Sequence, residues 1–272
     1  EGRGGRIVAT GDRVLIASGA HLTASGATGG GEVLVGGSWQ NSDPAVRQAV
    51  GTVVETGALL EANATDRGDG GTVVAWSDVT NPGSVTRAYG AFEAKGGPAG
   101  GDGGRIETSG HWLDASGAQG GASAPLGRAG EWLFDPYNVT ITGATANGAW
   151  GGGNPDLWTP SASGSTILNT DINNKLENGT SVTVTTNGGG AEIGDITVGA
   201  AVTKASGNAD VTLTLQAANS ISVDEAISNT GGTGKLHVVL DADNDNGTRD
   251  GGGVILLNND ISTGGGNLSF GT

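Results

Sequence analysis

Residues 68–77 read Gly-Asp-Gly-Gly-Thr-Val-Val-Ala-Trp-Ser, and residues 102–109 read Asp-Gly-Gly-Arg-Ile-Glu-Thr-Ser. The Asp-Gly-Gly sequence that begins at Asp69 thus returns 33 residues later, and both copies run directly into a short strand pattern. Looser copies of the Gly pair and its strand begin at Gly4 and Gly30. Self-similarity at a spacing of about 20–50 residues is typical of repeat architectures.

The strand pattern between these Gly pairs indicates how the repeats stack. Runs of three to six residues alternate in polarity and are separated by Gly, Ser, Asn and Asp, which indicates an all-β chain. Such short strands and small turns leave no room for helical crossovers. A coil that stacks each turn on the last at about 4.8 Å, with Val, Ile and Leu inside, satisfies this geometry. We predict a parallel β-helix (a solenoid) of about a dozen coils, at roughly 20–25 residues each.

The rhythm is interrupted at two places, which divides the chain into stretches. Residues 1–142 form a first β-helix stretch with a loop leaving the coil near residues 36–50. Residues 143–165 are rich in Gly, Ala, Asn, Pro and Ser and are predicted to be an irregular connection or excursion. Residues 166–272 are predicted to hold one short helix and then a second β-helix stretch, continuous with the first.

The short helix is predicted from the sequence between Thr170 and Gly179. Thr170 is a suitable N-cap, Ile172 and Leu176 share one face, and Gly179 is a typical stop. We expect this helix to cover a rung of the β-helix rather than to form a domain.

Composition excludes several classes of protein. The chain has 272 residues, 54 of them Gly, and no three-residue Gly period, which excludes collagen. Its net charge of −15, with 28 carboxylates against 13 Lys and Arg, argues against nucleic acid as a partner. No apolar run approaches the length of about 18 residues that a membrane-spanning helix needs, so no membrane insertion is expected. The absence of Cys fits a cytosolic protein or an exported chain equally well.

Three segments carry a family resemblance. Residues 70–78, 102–110 and 130–141 resemble the filamentous-haemagglutinin-like adhesins, which are large exoproteins exported by two-partner secretion in Gram-negative bacteria. The resemblance covers most of residues 65–272. It implies a right-handed β-helix, secretion through an outer-membrane transporter partner, display at the bacterial cell surface, and a role in adhesion or aggregation. Motifs of the Asn-Pro-Asn-Gly type, found in the secretion domain of that family, are absent, so we expect an internal or distal fragment.

Alternating carboxylates near residue 245 form a candidate cation site. Asp241, Asp243 and Asp245 follow the spacing of the first half of an EF-hand-like loop, whose ligands converge on Ca²⁺. The bidentate Glu of that motif is replaced by Gly252, and Asp250 is the nearby carboxylate able to substitute for it. A solvated acidic turn between two strands explains the same residues, so both interpretations stay open.

Tryptophans in the predicted loops form a candidate glycan contact. Aromatic faces pack on sugar rings, and the chain has six Trp residues. Packing of these rings over the β-helix is the alternative explanation. The three loop residues concerned are Trp39, Trp150 and Trp158.

The tripeptide Arg67-Gly68-Asp69 matches a sequence that integrins recognise on animal cells. Asp69 also belongs to the Asp-Gly-Gly repeat, and the copy at residues 102–104 lacks the preceding Arg-Gly. The need for a turn is therefore a sufficient explanation for these residues.

Three functions are compatible with this sequence. We predict a rod segment of a secreted adhesin without enzymatic activity, whose partners are surface glycans, exopolysaccharide or another adhesin copy, and which acts in attachment, aggregation or biofilm formation. The alternative is a polysaccharide-binding or polysaccharide-degrading β-helix, which a carboxylate-lined groove would favour. The third is a flat glycan- or ice-binding face, which stacked residues such as Thr183, Thr212 and Thr214 would favour.

Overall fold

A computed structural model of the chain describes residues 2–81, 83–135, 139–143, 148–150, 158–160, 165–186, 194–244 and 253–271. The described elements are short strands, one short helix and one 3-10 turn at Trp39–Asn41. In chain order they are β1 (Arg6–Ala9), β2 (Arg13–Ile16), β3 (His21–Thr23), β4 (Glu32–Val35), β5 (Gly51–Val54), β6 (Leu59–Glu61), β7 (Thr72–Trp76), β8 (Val85–Ala88), β9 (Ala91–Glu93), β10 (Arg105–Ser109), β11 (Trp112–Asp114), β12 (Gln119–Gly121), β13 (Glu131–Asp135), β14 (Val139–Thr142), β15 (Gly148–Trp150), β16 (Trp158–Pro160), β17 (Ser165–Leu168), α1 (Asn169–Glu177), β18 (Ser181–Thr185), β19 (Ile196–Val198), β20 (Val202–Lys204), β21 (Val211–Gln216), β22 (Ile221–Val223), β23 (Ile227–Asn229), β24 (Leu236–Asp241), β25 (Ile255–Leu257), β26 (Ile261–Ser262) and β27 (Leu268–Phe270).

Successive strands are distributed over three faces, so that the chain visits each face in turn. Face one has the order β1-β4-β7-β10-β13-β18-β21-β24-β27, and face two has the order β2-β5-β8-β11-β17-β14-β19-β22-β25. Face three consists of β3-β6-β9-β12 and, further along the chain, β20-β23-β26. Neighbouring strands on all three faces run parallel, as in the β1–β4, β2–β5 and β3–β6 pairs. The prediction of an all-β parallel β-helix is therefore confirmed.

The coils vary in length, and the sequence-based coil number was too high. Face one has nine strands among the described residues rather than about a dozen. Arg6 pairs with Glu32 after 26 residues, whereas Glu32 pairs with Thr72 after 40. The longer coil contains the predicted loop at residues 36–50. A loop that leaves the coil adds residues to that coil but adds no strand to face one.

An apolar column fills the axis behind face one. Its members occupy equivalent positions on successive strands and pair in register across all nine of them. They are Ile7, Val33, Val73, Ile106, Trp132, Val182, Leu213, Val238 and Leu268. The seven members from Val33 to Val238 are fully buried, and burying each such side chain contributes about 1.5–3 kcal/mol.

The Asp-Gly-Gly repeat forms a corner between coils. The Asp69 carboxylate accepts a hydrogen bond from the Asp102 backbone N–H at 2.7 Å, and the Asp102 carboxylate accepts one from the Arg128 N–H at 2.8 Å. A Cβ placed on Gly103 would lie 1.9 Å from the Ala122 carbonyl oxygen. The Asp therefore links one coil to the next, and Gly is required because the neighbouring backbone occupies the space of a side chain.

Helix α1 takes the place of a rung on face three, between β12 and β20. The prediction of a short helix in this region is borne out, but the predicted cap is wrong. The helix begins at Asn169, its N-cap is Leu168 without a side-chain capping bond, and Thr170 lies exposed inside it. Leu168 ends β17, so the preceding strand fixes the start of the helix without a capping side chain.

Side chains of α1 hydrogen-bond to the strand edges on both sides. Toward β20, Asn169 donates to the Ala201 carbonyl, Asn173 accepts from the Thr203 N–H at 2.8 Å, and Glu177 accepts from the Ala205 N–H. Four helical residues rise about 6 Å and two strand residues about 6.6 Å, so every fourth helical side chain meets every second strand residue. Toward β12, Asp171 accepts from the Gly117 N–H, and Lys175 donates to the Ala118 carbonyl at 2.9 Å.

Face two carries one more strand than face one in the coil of the helix. β17 lies between β11 and β14, although it follows β14 in the chain. Strands β15 and β16 form an antiparallel pair in the segment between them. An α-helix is about 10 Å wide and two strands span a similar height, so the added strand on face two matches the thickness of α1 on face three.

Candidate functional site

The outer surface of face one carries the candidate site. Alternate side chains of each strand point outward there, and equivalent outward positions pair in register from strand to strand. One such outward column contains Leu34, Val74, Glu107, Leu133, Thr183 and Thr214. Residues 36–50, which we call the strap, lie over part of this surface. Val46 of the strap forms a second small apolar cluster with Leu34, Val74 and Trp76, and Trp39 packs against it.

The strap is attached to face one by polar and aromatic contacts. The Arg105 guanidinium lies 4.5 Å from the centre of the Trp39 ring. The Gln40 backbone N–H donates to the Glu107 carboxyl at 2.8 Å. At the other end of the strap, the Trp76 indole N–H donates to the side-chain oxygen of Gln48 at 3.0 Å. These contacts fix the position of the strap relative to the strands.

The tip of the strap has an unusual backbone conformation. Gln40 and Asn41 have φ values of 45° and 52°, in the left-handed region that residues other than Gly seldom adopt. Both side chains are exposed. Conformations of this kind persist where the surroundings enforce them, and they are found often at ligand-binding sites. Here the Glu107 carboxyl supplies part of that constraint through Gln40.

A cleft of about 510 Å³ lies between the strap and the strands, which we call the strap cleft. Its lining is mostly polar and comes from the strap, from residues 76–80 at the end of β7 and after it, and from β13, β18 and β21. It includes Trp39, Gln40, Asn41, Glu131, Asp135, Thr183 and Gln216. A second hollow of about 700 Å³ meets it at Glu131 and Thr183 and extends toward Asp69, Asp102 and Arg128. Together the two hollows follow the outer surface across several coils.

Two carboxyl groups near this cleft have altered acidity. Burial raises the pKa of Glu107 to about 8, although hydrogen bonds from Gln40 and Ser109 act in the opposite direction. Burial also raises the pKa of Asp135 to about 7. Glu131, at the other end of the same strand, accepts a hydrogen bond from the Thr183 hydroxyl at 2.6 Å. The cleft is therefore lined by one carboxyl group, Asp135, whose pKa lies near neutrality because of burial.

The structure describes only part of the predicted tryptophan site. Trp39 is half-buried in the strap and lines the cleft, so it both packs on the protein and contributes to a possible binding surface. Trp150 and Trp158 face each other as a backbone pair in β15 and β16, and their side chains lie outside the described part. The three residues remain a prediction as a glycan platform.

The predicted Ca²⁺ loop is also described in part. Asp241 is buried, and its carboxylate accepts a hydrogen bond from the Asn244 side chain. Asp243 has a left-handed backbone with φ of 58°. Asp245 and Asp250 lie outside the described residues. Among the residues that are described, no group of three or more His, Cys, Asp or Glu side chains forms a candidate metal site, and Ca²⁺ stays a prediction.

The Arg67-Gly68-Asp69 tripeptide has a structural role. The Asp69 carboxylate holds the neighbouring coil through Asp102. At Gly68, φ is +124°, and a Cβ there would lie 2.4 Å from the Thr28 carbonyl oxygen. Both observations agree with the explanation that a turn requires these residues.

The outward Thr residues form only a short ladder. Thr183 and Thr214 pair in register, but the same column continues to Leu133 on one side and Val239 on the other. On face one this column of identical residues is therefore limited to two strands, whereas on face two Thr166, Thr140 and Thr197 pair in register over three strands.

Sequence reasoning missed the strap cleft and its buried carboxyl groups. A signal for Glu107 was present, because Glu107 occupies the position of Leu34 and Val74 in the repeat. A carboxyl group between the apolar residues Val74 and Leu133 of this column indicates a special environment. No comparable signal marked Asp135, which is buried at the end of β13.

Comparisons with known proteins do not add to this picture. No protein-family model matches the chain, and no curated protein matches it. Within the described residues, no helix has the length and apolar character needed to cross a membrane. The functional interpretation therefore rests on the sequence and on the geometry of face one.

Proposed function

We propose that this chain is a rod segment of a large secreted or cell-surface bacterial adhesin that mediates attachment, cell aggregation or biofilm formation. The observation that supports this proposal is the uninterrupted parallel stack of nine strands on face one, whose outer surface carries the strap cleft. In a stacked architecture each coil contacts only its neighbours, so coils are added without a change of fold. Such a rod suits the display of side surfaces at a distance from a cell.

The proposed role does not include catalysis. Glycosidases that use two carboxylates hold them about 5–10 Å apart. Glu131 and Asp135, which both line the strap cleft, are four residues apart on β13, so their Cα atoms lie about 13 Å apart, and strand side chains that stand roughly perpendicular to the sheet do not bring their carboxyl groups together. Glu107 is nearer to Asp135 but is fully buried beneath the strap, where no substrate reaches it.

The proposal has three further parts. The chain is exported through an outer-membrane transporter, its partners are glycans or exopolysaccharide, and Ca²⁺ binds at the Asp241–Asp250 loop.

Adhesion is tested with the purified chain immobilised on beads. We expect these beads to bind bacterial or host cells, or extracted exopolysaccharide, more strongly than beads that carry an unrelated acidic β-protein. Adding a chelator tests the Ca²⁺ part separately, because it should weaken binding only if the cation orders the acidic loop. Equal binding by both kinds of bead would contradict the adhesive role.

The second candidate is a polysaccharide-binding or polysaccharide-degrading protein, which the polar cleft with its two lining carboxyl groups favours. Incubation with polysaccharides of several classes, followed by measurement of reducing ends, separates binding from degradation. Release of products from any of them would replace the non-catalytic proposal with an enzymatic one.

A further inference from the structure

The Asp135 side chain lacks an explanation within the fold. It is the last residue of β13, it is only 8% exposed, and it lines the strap cleft. Within the described part of the chain, no group donates a hydrogen bond to its carboxyl. Buried polar side chains nearly always have a partner, and an isolated one points to a missing ligand, ion or water.

Groups suited to hydrogen bonding with a polyhydroxylated ligand surround this carboxyl. The strap tip presents the side-chain amides of Gln40 and Asn41, and Gln216 lies on the opposite wall. Thr183 adds a hydroxyl, and the exposed part of Trp39 adds apolar surface. A few placed polar groups beside an aromatic ring, in a cleft between about 300 and 1,000 Å³, are typical of small-molecule sites.

The charges of the cleft restrict the class of ligand. Asp135 and Glu131 are both acidic, and none of the cleft-lining residues in the described structure is Lys, Arg or His. Like charges brought together on binding are strongly unfavourable. The Glu131 carboxyl therefore disfavours a uronate, sulfated or phosphorylated ligand in this cleft, whereas neutral and amino sugars are compatible with it.

We propose that the strap cleft binds a short non-acidic oligosaccharide, with Asp135 hydrogen-bonded to a sugar hydroxyl or amine and Trp39 against a sugar ring. Asn41 and Gln216 contact the ligand from the two walls, and Glu107 acts as a positioning residue that holds the strap tip through Gln40. The inference deepens the proposed adhesive function and rests on it for its biological role.

Direct binding measurements test the proposal with the whole chain. Calorimetric titrations use oligomers of glucose, N-acetylglucosamine, glucosamine and a uronic acid. We expect saturable binding of at least one of the first three and no binding of the uronate. Failure of all three non-acidic oligomers, or equally tight binding of the uronate, overturns the proposal.

Variants separate a ligand contact from a structural role. Asp135→Ala should weaken binding at least tenfold while the midpoint of unfolding does not fall, because it removes a largely buried carboxyl that accepts no hydrogen bond from the described residues. Asn41→Gly keeps the left-handed backbone accessible, and with Gln216→Ala it should weaken binding severalfold. Asp66→Asn, at an exposed position outside the cleft, is the matched control and should have no effect. Unchanged binding by Asp135→Ala and both wall variants would place the ligand elsewhere and overturn the proposal.

The two proposals fail in distinguishable ways. If beads carrying the chain adhere to cells but no non-acidic oligosaccharide binds the cleft, the adhesive function stands and the cleft assignment is wrong. If an oligosaccharide binds with the expected loss in Asp135→Ala but the beads do not adhere, the cleft assignment stands and the adhesive function is wrong.

Discussion

The ammonium nitrogen of Lys175 lies 3.8 Å from the centre of the Trp132 ring, and both side chains are buried in the interior of the stack. Lys175 belongs to α1, and Trp132 belongs to the apolar column behind face one. The same nitrogen donates to the Ala118 carbonyl. The basic side chain of Lys175 therefore extends from the helix into the core, where it contacts the Trp132 ring and the carbonyl of Ala118.

The buried Lys175 predicts a rise of stability with pH. Burial lowers its pKa to about 7, whereas an unfolded Lys titrates near about 10.4. Between these values the unfolded chain binds one more proton than the folded chain, so the free energy of unfolding increases as the pH rises from 7 to 9.5. Lys175→Met should remove this increase, as measured by urea unfolding across that range.

The matched control for this experiment is Lys235→Met, because Lys235 is exposed. It should keep the same pH dependence as the unmodified chain. An identical slope for Lys175→Met and the unmodified chain would mean that Lys175 is charged in the folded state throughout.

The buried Glu107 carboxyl predicts a fall of stability with rising pH, in a lower pH range. Its pKa is raised to about 8 by burial, and an unfolded Glu titrates near about 4.3. Between these values the folded chain binds the additional proton, so stability falls as the pH rises from about 5 to 8. Glu107→Gln should flatten this fall in unfolding curves, whereas the exposed Glu225→Gln should not. A fall of undiminished size in Glu107→Gln would contradict the assignment.

The hydrogen bonds between α1 and β20 predict that substitutions of two adjacent Asn residues differ in their effect on stability. Asn173 accepts a hydrogen bond from the Thr203 N–H, and Asn174 beside it is exposed. Asn173→Ala should cost about 1 kcal/mol of unfolding free energy, because it leaves a strand N–H without its acceptor. It should also speed amide exchange at Thr203. Asn174→Ala is the control, and equal effects of the two variants would argue against the helix acting as a rung.

Backbone contact between coils predicts which Gly residues tolerate a methyl group. Gly103→Ala would place a Cβ 1.9 Å from the Ala122 carbonyl oxygen, whereas Gly5 has nothing within 4 Å of that position. The first change should destabilise the chain by about 3 kcal/mol or more, because the obstructing atoms belong to the backbone. The second should be close to neutral. Thermal unfolding of both variants would reveal the difference, and similar melting temperatures would refute the corner geometry.

The sequence was sufficient for the repeating parts of this fold. The Gly pairs at residues 70–71 and 103–104 and the alternation after them indicate strands that pair in register, because backbone contact and a filled axis impose those residue types. The apolar column from Val33 to Val238 follows directly from that alternation.

The parts that depend on contacts between distant segments were not predictable in this way. Leu168 starts the helix where Thr170 was expected, because the preceding strand determines its position. β17 inserts between β11 and β14, which chain order does not indicate. The burial of Glu107 likewise arises where the strap lies over a strand that follows it by more than fifty residues. The sequence around a residue does not indicate whether a distant segment of the chain covers it.

The additional strand beside α1 has a mechanical consequence. From β10 to β18 face one contains a single intervening strand, whereas from β11 to β19 face two contains two. One side is thus longer by about 4.8 Å, which makes this coil a wedge. A wedge tilts the coils before it relative to the coils after it, and we expect a bend in the stack at this position. Such a bend would turn the strap cleft, which lies on the shorter side, toward the inside of the curve.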